Sequence, residues 1–121
     1  MITQQAFRYG VSGLIATCVH VSVAALVFNF LVPSQPIANT IAFVAAMPVS
    51  YFMNALWSFG STVHGRNFAR FVVVSLVGLG LSGVIAAVAE AAGLNYWTGI
   101  ACVIAIVPFV SFALHRAWTF G

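Results

Sequence analysis

The chain has 121 residues, 63% of them hydrophobic, and carries four arginines and one glutamate, whereas an ordinary soluble domain is roughly a quarter charged. With no lysine, a mean hydropathy of +1.11 and a net charge of +3, it cannot clothe a water-soluble core, and it has no basic cluster able to follow a nucleic-acid backbone. The composition is that of an integral membrane protein of the all-α class.

A bilayer core of about 30 Å takes about 20 helical residues, and four apolar stretches of that size follow one another over residues 8–31, 37–59, 68–92 and 96–119. The first opens at Arg8 and holds His20 near its middle, with Gly13 and Thr17 on the same face. An imidazole at that depth needs a partner, structurally a carbonyl or hydroxyl, functionally a proton relay. A cleaved leader over residues 1–25 is the weaker reading, because the apolar run continues past Ala25 to Val32. Pro33, Ser34, Gln35 and Pro36 end the first helix and start the second.

Pro48 and Pro108 fall near the centres of the second and fourth helices, where each removes an N–H and marks a candidate hinge. The polar run from Gly60 to Asn67 separates the second helix from the third, and His64 within it suggests exposure and no more. In the third helix Gly78, Ser82, Ala86 and Glu90 recur every four residues, a small-residue stripe suited to close packing. It aims Glu90, the only acid, at an interior or intersubunit crevice as a coupling or far-side polar group, unless the last turn simply solvates it. Gly93 suits a left-handed cap and Asn95 an N-cap, so the third and fourth helices are antiparallel neighbours. Cys18 and Cys102 lie inside spans with no metal-ligand or disulfide spacing and read as buried thiols.

Arginine flanking short loops stays on the cytoplasmic side. Arg8, Arg66, Arg70 and Arg116 all fall at one face of a four-span chain, which predicts an N-in, C-in orientation. A shift of 61 residues lays Ser50 to Gly60 on Ser111 to Gly121 with four of the eleven pairs identical, and a shift of 62 lays Arg8–Tyr9 on Arg70–Phe71. The expected architecture is one transmembrane domain over residues 1–121, built as two parallel pseudo-repeated hairpins, about 1–60 and 61–121.

An arginine-aromatic opening to the first and third helices, with Asn54-Ala55-Leu56-Trp57-Ser58-Phe59 and His115-Arg116-Ala117-Trp118-Thr119-Phe120 closing the second and fourth, resembles the GtrA-like family over essentially the whole chain. The first motif lacks the family's arginine, and the second has histidine in place of asparagine. The resemblance implies a non-enzymatic translocase of polyprenyl-phosphate-linked sugars, serving cell-surface polysaccharide synthesis from a bacterial inner membrane. It implies membrane glycosyltransferases as partners; one acid, no metal-ligand cluster and no nucleotide-binding glycine loop lead to the expectation of no cofactor or metal.

Carrying an anionic phosphate through lipid calls for arginine, which holds phosphate bidentately and stays ionised when desolvated. Arg70 and Arg116 are the leading phosphate candidates, with Arg8 beside them and Asn54 and His115 as hydrogen-bonding partners. The plainer role for these arginines is anchoring to lipid phosphates. Trp57 and Trp118 form an aromatic belt with sugar stacking as a secondary use. Four short helices enclose little volume, so a homodimer among membrane lipids is expected. The rival readings are a small multidrug exporter, disfavoured because the first helix has no acid, and a non-transporting partner of a glycosyltransferase.

Overall fold

A computed structural model describes residues 1–121 and is helical without strands. Helix α1 spans Ile2–Phe30, α2 Gln35–Met53, α3 Gly65–Ala91 and α4 Tyr96–Leu114; α2 runs on into a π-helical turn, π1, at Asn54–Ser58, and α4 into π2 at His115–Thr119. With these turns included, all four helices are long and apolar enough to cross a membrane. Three of them start earlier than the apolar pattern predicts, α2 by only two residues. Helix α1 takes in the polar residues before Arg8, because polarity alone does not break a helix and no proline intervenes. Helix α3 begins at Gly65 because His64 caps it: its Nδ1 accepts from the Asn67 N–H at 3.2 Å while Asn67 Oδ1 accepts from the His64 N–H at 3.3 Å.

The connections follow the turn chemistry. Pro36 stands at the start of α2, where its missing N–H costs nothing. Gly93 adopts φ +80°, and the Leu94 N–H reaches back to the Ala89 carbonyl at 3.0 Å, as in a Schellman end. Asn95 then caps α4, its Oδ1 accepting from the Thr98 N–H at 2.8 Å. Gly60 takes the left-handed conformation after π1, with φ +58°.

The chain divides into two compact units, Met1–Val63 and His64–Gly121, each an antiparallel hairpin. In the first, Ala38, Ala42 and Ala46 recur every four residues and are buried, so α1 packs on α2 through a face of methyl groups. In the second, Gly78 belongs to the hairpin interior: a Cβ there would lie 3.2 Å from Ser111 Oγ and 3.6 Å from Val107 Cγ1. Ser82 turns its hydroxyl onto the Gly78 carbonyl at 2.9 Å, while Ala86 and Glu90 are exposed, so the four members of the stripe do not share one environment. The helices run unbroken through Pro48 and Pro108. Both cysteines are free, and neither is buried as expected: Cys18 is exposed and Cys102 partly so. A membrane span presents most of its apolar circumference to lipid, which carries no penalty for a thiol.

Candidate functional site

Each hairpin holds its arginines at the end away from its tight loop. In the first, Arg8 Nη1 donates to the Trp57 carbonyl at 3.0 Å, and the guanidinium carbon stands 5.5 Å from the centre of the same residue's ring. The last carbonyls of a helix lack intrahelical donors, and Trp57 lies in the final turn of π1. The arginine thus caps that turn through a charge-assisted bond and lies on its aromatic face. Beneath this clamp Ser12 and Ser58 share a buried hydroxyl–hydroxyl bond of 2.9 Å, and Tyr9 meets Phe59 edge-on at 6.3 Å.

The second hairpin builds the same end from different pieces. Arg70 Nη1 donates to the Trp118 carbonyl at 3.0 Å, with its guanidinium 5.2 Å from the ring centre. Phe71 lies parallel to the His115 ring at a centroid distance of 4.6 Å and an angle of 16°. His115 Nδ1 is 3.0 Å from Thr119 Oγ1.

Asn54 and His115 occupy matching places in π1 and π2, and both are buried, at 1% and 3% exposure. Neither side chain is presented to an outside ligand. Asn54 Nδ2 donates to the Ser50 carbonyl at 2.7 Å, and its Oδ1 is buried with no hydrogen-bond partner. Arg116 and Arg66 are exposed, whereas Arg8 and Arg70 are half-buried and held. Trp57 and Trp118 keep 38% and 42% of their surface, enough to offer a ring face beside each clamp.

The remaining candidates lie elsewhere in each hairpin. His20 is half-buried on the wall of a cavity of about 390 Å³ with Gln35 and Asn39, while Thr17 spends its hydroxyl on the Gly13 carbonyl at 2.8 Å. Glu90 borders a separate cavity near the Gly93 loop. The π-turns are what reading the sequence missed. Their one signal was the duplicated block ending in Trp-x-Phe-Gly, since π-turns mark functional stretches of helices more often than chance.

Four spanning helices, arranged as two hairpins each closed by an arginine–tryptophan clamp, define a small multi-pass membrane protein. A family model described as GtrA/DPMS, transmembrane domain, matches residues 8–120, and the chain belongs to that family. No curated protein and no solved structure matches it.

Proposed function

We propose that the protein moves a polyprenyl-phosphate-linked monosaccharide across a bacterial cytoplasmic membrane, for the synthesis or modification of cell-surface polysaccharide. Family membership supports the class of cargo, and the observation that carries the chemistry is the pose of Arg8 and Arg70. Each spends one N–H on a tryptophan carbonyl and stacks on the ring, which fixes the guanidinium while leaving further N–H donors for a phosphate. A fixed fork loses less entropy on binding than a free side chain.

In this reading the protein lies N-in, C-in and each clamp is by itself a phosphate site, Arg8 with the exposed face of Trp57 for a sugar in the first hairpin, and Arg70 with Trp118 and the added charge of Arg116 in the second. Asn54 and His115 position the π-turns from inside. Transport needs no covalent step, so the protein is no enzyme, and a homodimer supplies the volume that four helices lack.

The test is movement of a radiolabelled polyprenyl-phosphate sugar in liposomes holding purified protein. Wild type should speed movement, and Arg8→Ala and Arg70→Ala should each cut it at least about tenfold, the loss of one charge-assisted contact. Wild type indistinguishable from empty liposomes overturns the reading, and capture of a glycosyltransferase under those conditions would make the protein that enzyme's membrane partner.

A further inference from the structure

The loop end of the second hairpin holds a cavity of about 560 Å³ that the carrier reading leaves unused. It exists because small residues set the helix spacing: Gly99 is buried, and a Cβ added there would lie 3.6 Å from the Ala89 methyl. Ala86, one turn back on α3, is too short to fill the space that opens beside this contact. The walls are mainly aliphatic, with Ala86, Ile100 and Val103, and the polar edge is supplied by Glu90, Asn95 and the phenol of Tyr96.

Glu90 is the only acid in the chain, and its carboxylate has neither an ion pair nor a hydrogen bond. No arginine of its own hairpin reaches it. Arg70 lies on the same helix about 30 Å away at 1.5 Å per residue, with its guanidinium committed at Trp118. Asn95 is already engaged, Oδ1 accepting from the Thr98 N–H at 2.8 Å and from its hydroxyl at 2.9 Å. An exposed, lone negative charge on the wall of an apolar cavity of ligand size therefore has no counter-charge within its own hairpin.

This donor set selects its ligand. An anion is repelled, a hard metal ion finds one carboxylate where it needs several oxygens, and a polyhydroxylated ligand finds too few partners along aliphatic walls. We infer that the cavity binds an organic monocation with apolar substituents, its ammonium or phosphonium centre against Glu90. The shared chemistry covers two sources, the ammonium head group of a membrane lipid and a free amphiphilic amine. The inference does not rest on the carrier reading, since it requires no sugar and neither clamp.

The test uses radiolabelled tetraphenylphosphonium and the full chain in an uncharged maltoside detergent, read by equilibrium dialysis. Saturable binding at one probe per chain is expected, weakened at least about tenfold in Glu90→Gln, equivalent to about 1.4 kcal/mol of lost attraction. Glu90→Asp should keep most of the binding, and Ala86→Leu should lower it by filling the cavity with the charge intact. Thermal unfolding of each variant separates loss of the site from loss of the fold. Repeating the titration with phosphatidylethanolamine added identifies the source: displacement of the probe assigns the lipid head group, and undiminished binding assigns a free cation. Absence of saturable binding to folded wild type, or equal binding by Glu90→Gln, overturns the inference.

Discussion

Arg70 donates to the carbonyl of Trp118 and lies over the ring of that same residue, so one guanidinium both caps a helix and stacks on it. Arg8 does the same with Trp57. Lysine has a point charge and no planar fork, and cannot do both. Arg8→Lys should therefore loosen the end of π1, where Phe59 bonds to the Asn54 carbonyl, and Arg70→Lys the end of π2, where Phe120 bonds to that of His115. Hydrogen exchange at these two amides should quicken about fivefold, matching ~1 kcal/mol of lost capping. The exposed Arg66→Lys should leave both amides unchanged.

Asn54 makes a separable prediction. Its Oδ1 is buried and unpaired, and the Ser50 carbonyl that its amide serves also accepts the Asn54 backbone N–H. Asn54→Leu, close in size, removes an unsatisfied acceptor without orphaning that carbonyl, so stability should change by less than about 1 kcal/mol. Asn54→Asp buries a charge in the same place and should cost about 3 kcal/mol or more. Denaturant titration in mild detergent distinguishes the two.

The stacked Phe71–His115 pair sits deep in its hairpin, whereas Tyr9 meets Phe59 at longer range and is half-buried. Phe71→Leu should lower stability by about 1–2 kcal/mol, combining the lost stacking with a small cavity. Tyr9→Leu should cost clearly less in the same thermal unfolding series.

Gly60 and Gly93 hold positive φ angles, and no atom lies within 4 Å of where a Cβ would be placed. Alanine at either position should destabilise by about 1 kcal/mol through backbone strain alone, and asparagine by less. Gly83, inside α3 with equally open space, should respond with the opposite sign, Gly83→Ala stabilising by about 0.5–1 kcal/mol.

The four helices and their breaks were legible in the sequence because they rest on local signals: apolar run length, the prolines at 33 and 36, and the glycine–asparagine pair at 93 and 95. The clamps were not, because Arg8 and Trp57 are 49 residues apart and position in a span says nothing about which carbonyl a side chain will meet. Arginines weighed singly made Arg116 a leading candidate, yet Arg8 and Arg70 are the pair held against the π-turns. Asn54 and His115 looked like interfacial ligands because they stand near helix ends. Burial depends on which way a residue faces, and a π-turn resets that rotation by inserting a residue. His64 went unrecognised as a cap because histidine is an unusual N-cap, although Asn67 stands three residues later, where a reciprocal partner belongs.

Each clamp finds both of its partners inside its own hairpin. A ribosome adds roughly 5 to 20 residues per second, so the second hairpin follows the first over roughly 3 to 12 s. By then Arg8 already has the carbonyl it needs, and the nascent first half can enter lipid with its polar end sealed. Membrane insertion can thus proceed one hairpin at a time, with no arginine waiting on a carbonyl that has yet to be translated in the other half.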